Sequence, residues 1–250
     1  REDFIEFYKK IDKKIARKYS ISISFYSPEY RKIVNASNKI KEGKYCTQLD
    51  GIIQLKKIVE KNPNNPYALL KLGKLYMKGK WFRILRNPIK ALDLIQKAAQ
   101  KDSPEARLTC GKIYFYGFDC EPNTRKAFKY FWKAFTKRNR DPRAGFYLSD
   151  ERFLTTDDKK INKFTDPVKI KEKDALDYLT IAADFGYDKA LFKLGLKYEK
   201  DPDHDIKKKG CEMIISAGEQ GNKDALKYIK ENPHLFNEDL YDLSDISISE

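Results

Sequence analysis

Residues 66–76 of the chain read Pro-Tyr-Ala-Leu-Leu-Lys-Leu-Gly-Lys-Leu-Tyr, and residues 104–114 read Pro-Glu-Ala-Arg-Leu-Thr-Cys-Gly-Lys-Ile-Tyr. The two stretches share their proline, alanine, glycine and tyrosine positions at an offset of 38 residues. A period between about 20 and 50 residues is typical of repeat proteins, in which each repeat is one supersecondary unit. Weaker copies begin further along the chain, at Pro142, Lys189 and Asp224.

A second set of related segments lies between these copies. Each carries two small residues seven positions apart: Ala91 and Ala98, Ala127 and Ala134, Ala175 and Ala182, and Gly210 and Ala217. Seven residues are about two helical turns, so both small residues face the same neighbour and let it approach closely. In the first set, glycine recurs at one register, at Gly73, Gly111 and Gly195. Because glycine costs roughly 1 kcal/mol inside a helix, this register predicts that a second helix crosses there.

The combined pattern closely resembles the Sel-one-like repeat family, a relative of the tetratricopeptide repeats. That family has Ala-x-x-x-Leu-Gly-x-x-Tyr-x-x-Gly, a loop, and then Lys-Ala-x-x-x-x-x-x-Ala-Ala. The best copy matches it at Ala68, Leu72, Gly73, Tyr76, Gly79, Lys90, Ala91, Ala98 and Ala99. The resemblance covers about residues 66–230. It implies an all-α fold, an α-solenoid of antiparallel helix pairs forming a superhelix, and an adaptor or scaffold that binds a protein partner.

The flanking sequence divides the chain into three predicted segments. Residues 1–65 hold N-terminal helices: one at about 2–18, then a degenerate leading repeat with helices from Ser27-Pro28 to Gly43 and from about Thr47 to Lys61. Residues 66–236 form the repeat solenoid, with a polar insertion at about 150–173. Residues 237–250 carry five acidic residues and no basic one, and are predicted to be an acidic tail.

The chain as a whole is strongly basic. It contains 51 Lys and Arg against 37 Asp and Glu, a formal net charge of +14. Such a balance suits an acidic protein segment or a nucleic acid. Because no aromatic RNA-binding strand motif is present, a protein partner is favoured, and an RNA-associated or structural subunit of a large assembly is the alternative. No apolar run approaches the roughly 18 residues of a membrane span.

Residues suited to catalysis or metal binding are sparse in this sequence. The four cysteines, Cys46, Cys110, Cys120 and Cys211, form no Cys-x-x-Cys pair, which argues against a zinc site. Their scatter favours a reducing compartment, such as the cytoplasm or an organelle matrix. No Gly-rich phosphate loop and no recognisable nucleophile–base spacing occur. We therefore expect a protein that is not an enzyme, with no cofactor and no small-molecule substrate.

One local motif resembles a calcium loop. Asp201-Pro202-Asp203-His204-Asp205, followed by Glu212, has the ligand spacing of such a loop. However, Ile206 stands where the sharp turn needs glycine, and three lysines follow it. A polar loop between two helices is therefore the preferred interpretation.

The resemblance also implies where a partner binds, because first helices line the concave face of tetratricopeptide-type solenoids. The basic and aromatic residues assigned to that face are Tyr67, Lys74, Lys78, Lys112, Tyr116, Arg143, Phe146 and Lys189. Trp81 and Phe82 are added because exposed aromatic residues often mark interaction sites; burial against the neighbouring loop is the alternative. For any single lysine, the alternative is simple solvation of the helix. The chain's own acidic tail is a third candidate ligand.

Overall fold

The computed structural model describes residues 28–41, 45–79, 86–101, 103–135, 141–154 and 171–236. Within these ranges the chain forms eleven α-helices and two short 3-10 turns, with no β-strand, which confirms the predicted all-α class. The helices are α1 (Pro28–Lys41), α2 (Tyr45–Lys61), α3 (Pro66–Lys78), α4 (Pro88–Gln100), α5 (Pro104–Tyr116), α6 (Thr124–Phe135), α7 (Pro142–Leu148), α8 (Glu172–Asp184), α9 (Asp188–Tyr198), α10 (His204–Glu219) and α11 (Lys223–Glu231). The 3-10 turns are Glu151–Phe153 and Pro233–Leu235.

The described residues pack as two compact units. The first extends to Asp141 and contains α1 to α6, and the second starts at Pro142 and contains α7 to α11. Helices α1 and α2 thus belong to the same unit as the two repeats that follow them. The sequence-based boundaries at residues 65 and 236 stay predictions. The helix expected at 2–18 and the acidic tail at 237–250 lie outside the described residues.

Local sequence signals set the ends of the helices. Proline occupies the first position of α3, α4 and α5, where its missing N–H is not needed. The residue before each proline is Asn65, Asn87 or Ser103, and its side-chain oxygen accepts a hydrogen bond from a backbone N–H group in the first turn of the helix. Gly79 and Gly117 end α3 and α5 in the left-handed conformation, with φ of 59° and 70°. Glycine adopts this conformation without steric cost.

The recurrent glycines lie where the two helices of a repeat cross, as the small-residue register predicted. A Cβ atom on Gly73 would lie 2.6 Å from Ile95 Cγ1, and one on Gly111 would overlap the Phe131 ring. In the second unit, glycines on both helices meet: a Cβ on Gly195 would lie 2.8 Å from the carbonyl oxygen of Gly210. The crossings therefore bring backbone against backbone or against a core side chain.

Each unit contains an apolar core. Fully buried residues of the first unit include Ile33, Leu55, Leu70, Ile95 and Ile113. Those of the second include Leu194, Ile214 and Phe236. Two of the cysteines are part of these cores. Burial raises the pKa of the Cys110 thiol to about 12, so this residue behaves as a small apolar side chain.

The third copy departs from the others at the position of its missing glycine. Helix α7 ends at Leu148, and Ser149 turns the chain toward the insertion. Lys193 of α9 donates a hydrogen bond to the Ser149 carbonyl oxygen at 2.9 Å. Lys193 lies on the first helix of the following repeat. It thus provides a donor for the Ser149 carbonyl group, which has no intrahelical partner because α7 ends early. Phe153, near the start of the insertion, is fully buried.

We expect Gly210→Ala to destabilise the protein by about 1–3 kcal/mol, although alanine is the better helix former. The new Cβ would lie 2.5 Å from the Glu199 backbone nitrogen and 2.8 Å from the Gly195 oxygen, and neither backbone atom can move independently. The matched control is Gly218→Ala in the same helix, where the nearest atoms are flexible ends of Ile229 and Leu226 at 3.3 Å. Urea denaturation measures both, and an equal gain in stability for the two variants would contradict the crossing.

Candidate functional site

Three first helices of the first unit expose matching stripes of side chains. Within each helix the stripe follows a spacing of four, three and four residues, which places its members on one side of the helix. All twelve residues are half-buried or exposed. They are Tyr30, Val34, Ser37 and Lys41 of α1, Tyr67, Lys71, Lys74 and Lys78 of α3, and Glu105, Thr109, Lys112 and Tyr116 of α5. We call this set the first-helix face.

Side-chain contacts join the three stripes. The rings of Tyr30 and Tyr67 meet edge to face, with centroids 5.2 Å apart. Lys74 Nζ lies 2.7 Å from Glu105 Oε1. The first contact links α1 to α3 and the second links α3 to α5, so the stripes lie side by side and form one surface.

Positive charge dominates this surface. Its twelve residues include five lysines and a single carboxylate, that of Glu105. Lys71 is half-buried between the stripes, and this burial lowers its pKa; Glu105 opposes the shift, while Lys74 and Lys41 add to it. The face therefore holds more positive charge than its own carboxylate can balance.

An apolar pocket of about 260 Å³ adjoins one end of the first-helix face. It is lined by Met77, Pro88, Ile89, Leu92, Asp93, Gln96, Ile113, Phe118 and Asp119. Two of its apolar residues are conspicuously exposed, Ile89 by 85% and Phe118 by 52%. The ring of Tyr116 on the face lies 5.4 Å, centroid to centroid, from that of Phe118. The pocket therefore begins where the stripe of α5 ends.

Sequence reasoning missed this pocket. Ile89 is in the first turn of α4, and Phe118 follows the glycine that ends α5. The only sequence signal was that both positions, in a first turn and in a loop, carry a large apolar residue where a polar one is usual. Helix packing, which cannot be read from either segment alone, brings them together.

Two other recurrent residues of the pattern are structural. The ammonium group of Lys90 lies over the Tyr76 ring at 4.8 Å, and that of Lys126 lies over the Tyr114 ring at 5.1 Å. In both repeats the residue that caps the second helix, Asn87 or Asn123, donates its backbone N–H to the carbonyl oxygen of the same tyrosine. These tyrosines and lysines therefore hold the two helices of a repeat together.

The predicted site residues are distributed over the two units. Tyr67, Lys74, Lys78, Lys112 and Tyr116 all lie on the first-helix face. Arg143, Phe146 and Lys189 belong to the second unit, where Lys189 is exposed and Arg143 is half-buried. Phe146 packs edge-on against Tyr147 and Tyr187 in that unit, with Lys193 Nζ 5.7 Å from its ring centroid. Trp81 and Phe82 lie outside the described residues.

Comparison with known families identifies the helix pairs of the first unit. A sequence model of the Sel1 repeat matches residues 66–103 and 104–139. The chain contains Sel1 repeats. Each match spans one of the helix pairs described above, α3 with α4 and α5 with α6. The first-helix face and the apolar pocket are thus built on two consecutive Sel1 repeats and the leading helix pair.

Solved structures show the same fold. A Sel1 repeat protein from Oxalobacter formigenes aligns with a TM-score of 0.63 at 17% identity, over 89% of this chain and 87% of that one. The immunity protein PA5088 from Pseudomonas aeruginosa aligns with a TM-score of 0.53 at 18% identity, over 88% and 80% of the two chains. Immunity protein Pa5087 from the same organism has a TM-score of 0.50 at 21% identity, over 80% and 69%. No curated protein sequence matches the chain significantly.

The calcium-like motif forms a helix cap. Asp203 accepts hydrogen bonds from the backbone N–H groups of Asp205 and Ile206 at the start of α10, and Asp201 accepts one from the N–H of Asp203. Among the described residues, no three His, Cys, Asp or Glu side chains are grouped so that they could bind a metal ion.

In the same part of the chain, no helix combines the length and hydropathy needed to cross a membrane.

We expect Lys71→Met to stabilise the protein by about 0.5 kcal/mol or less at pH 7, because methionine fills the same half-buried space without a charge. Folding lowers the pKa of Lys71 below its ordinary 10.5. The loss of folding stability caused by burying the charged ammonium group is therefore fully present below the pKa of the folded state and disappears above pH 10.5. The advantage of the variant should therefore shrink as the pH rises to 10.5. Lys78→Met, at an exposed position, is the control in urea denaturation. A less stable Lys71→Met protein would show that attraction to Glu105 outweighs burial.

Proposed function

We propose that this chain is an adaptor or scaffold whose first unit binds a carboxylate-rich segment of a partner protein along the first-helix face. Sel1 repeats generally mediate protein–protein interaction, and their fold is typically non-catalytic. We infer accordingly that the chain acts by binding and not by catalysis. The observation that carries the proposal is the excess of lysine on this face, five against one carboxylate.

The charge of the face favours an acidic ligand. Several like charges on one surface add their potentials, which raises the rate of encounter with an oppositely charged segment. The ion pair of Lys74 with Glu105 does not oppose this, because both side chains are more than a third exposed and such pairs contribute about 0–1 kcal/mol. Lys74 can therefore exchange Glu105 for a carboxylate of the partner at little cost.

The apolar pocket supplies an anchor next to the charged face. Interface energy is concentrated in a few well-packed apolar contacts, surrounded by polar groups. Ile89 and Phe118 leave apolar surface exposed that a bulky side chain would cover, at a gain of about 25 cal/mol per Å². The proposed ligand therefore has a run of acidic residues followed by a large apolar one.

Two features favour protein over nucleic acid at this face. The adjoining pocket is lined mainly by apolar residues, which suit a peptide side chain and not a phosphate. Tyr30 and Tyr67 pack edge to face against each other. Together they therefore do not present a flat surface on which a base could stack. An RNA-associated role for this face is the second candidate, and the net charge of +14 favours it.

Reversing Lys74, Lys78 and Lys112 to Glu should weaken binding of a labelled peptide, a run of glutamates ending in leucine, by about tenfold or more. The matched control reverses Lys56, Lys57 and Lys61, three exposed lysines of α2, and changes the net charge equally. Fluorescence anisotropy at several salt concentrations measures both. An equal loss of peptide affinity in the two variants would show a nonspecific charge effect. Unchanged affinity in both variants would exclude this face as the binding site. Tighter binding of an oligonucleotide, lost in the same reversed variant, would favour the RNA alternative.

Phe118→Asp tests the anchor separately from the charge. The unaltered protein should bind the leucine-ended peptide more tightly than the same peptide ending in alanine, because leucine fills the pocket. Phe118→Asp should bind the two peptides equally, whereas Phe118→Leu should keep the preference. A preference that survives the aspartate substitution would place the apolar anchor elsewhere.

A further inference from the structure

Helix α6 presents a basic and aromatic side that the first-helix face does not include. Its sequence contains four cations, Arg125, Lys126, Lys129 and Lys133, and no carboxylate. The opposite side of the helix is buried through Ala127, Phe131, Ala134 and Phe135. Arg125, Lys129, Trp132 and Lys133 are exposed. The cations and the tryptophan therefore share the side that the core does not use.

Two parallel rows run along this side. Arg125, Lys129 and Lys133 follow one another at four-residue intervals, with a rise of about 6 Å per step. Phe128 and Trp132 form the neighbouring row, and their rings lie parallel, with centroids 6.1 Å apart and an interplanar angle of 9°. Trp132 is 43% exposed, although it is the largest side chain of the helix. A line of positive charge thus borders a flat aromatic platform.

The spacing of these charges is unfavourable within the helix itself. Like charges four residues apart on a helix repel each other. Arg125 also lies in the first turn, where the helix dipole disfavours cations, and this turn contains no acidic residue. A polyanion bound along the row would relieve both kinds of repulsion.

We propose that this side of α6 binds single-stranded nucleic acid. The phosphates lie against Arg125, Lys129 and Lys133, and a base stacks on Trp132. Lines of cations bordered by aromatic rings are how proteins bind single strands without reading their sequence. A single strand is required because only unpaired bases can stack on a side chain. The site differs from the first-helix face in having no carboxylate in its helix and in offering parallel rings.

Tryptophan fluorescence reports on the proposed contact directly, because the chain has only two tryptophans and one of them can be replaced. In the full chain with Trp81→Phe, Trp132 is the sole tryptophan. Titration with single-stranded oligouridine should quench its emission as a base stacks on it. The logarithm of the association constant should fall linearly with the logarithm of the salt concentration, with a slope of about −2. This slope is expected because three cations each neutralise one phosphate, and each neutralised phosphate of a single strand contributes about −0.7.

Substitutions separate the charge from the stacking. Arg125→Glu with Lys129→Glu should weaken oligouridine binding tenfold or more, while Lys56→Glu with Lys57→Glu on α2 should have little effect. Trp132→Leu, followed by anisotropy of a labelled oligouridine, should lower the affinity and leave the salt slope unchanged. Circular dichroism checks the helix content of each variant, and Arg125→Gln with Lys129→Gln repeats the charge test without adding negative charge.

Several outcomes would overturn the proposal. They are unquenched Trp132 emission at saturating oligouridine, equal affinity for a duplex of the same length, equal quenching by polyglutamate, or equal loss of binding in the α2 control. The protein with Lys74, Lys78 and Lys112 reversed to Glu should still bind oligouridine. Loss of oligouridine binding in that variant would place the nucleic-acid site on the first-helix face instead, so the two proposals fail independently.

Discussion

The close approach of the two helices within a repeat governs how the other parts of the protein pack. At Gly73 and Gly111 the first helix has no side chain, and a core residue of the second helix occupies that space. At Gly195 the approach brings the backbones themselves together, because Gly210 faces it from the second helix. Close packing of this kind holds a pair in one register, since any added atom overlaps a neighbour.

That register determines which side of every helix remains outside. Once the glycine side of α3 is buried, Tyr67, Lys71, Lys74 and Lys78 fall on one exposed stripe, and the same geometry places the stripes of α1 and α5 beside it. On α6, burial of Phe131 against α5 leaves Trp132 and the basic row on the opposite side. The first-helix face and the outer side of α6 are thus consequences of core packing, although their residues are half-buried or exposed.

The two basic surfaces of the first unit differ in what they can bind. The first-helix face contains a carboxylate, Glu105, and leads to an apolar pocket, which together suit the mixed chemistry of a polypeptide. The outer side of α6 has cations without a carboxylate in its helix and a parallel pair of rings, which suits phosphates and bases. A single net charge for the chain conceals this difference, because specificity depends on how charges and rings are arranged.

The fold class, the crossing glycines and the approximate helix ends could be predicted from the sequence, because caps and periodicity are local. The second helix of the leading repeat, predicted from Thr47 to Lys61, runs from Tyr45 to Lys61. Five predicted site residues also share one face, since they occupy equivalent positions in consecutive repeats. Packing in three dimensions was needed to show that Lys74 pairs with Glu105, that Ile89 and Phe118 border one pocket, and that Lys193 caps the shortened α7. These contacts join residues about 30 or more positions apart, and no local signal encodes which partners packing brings together.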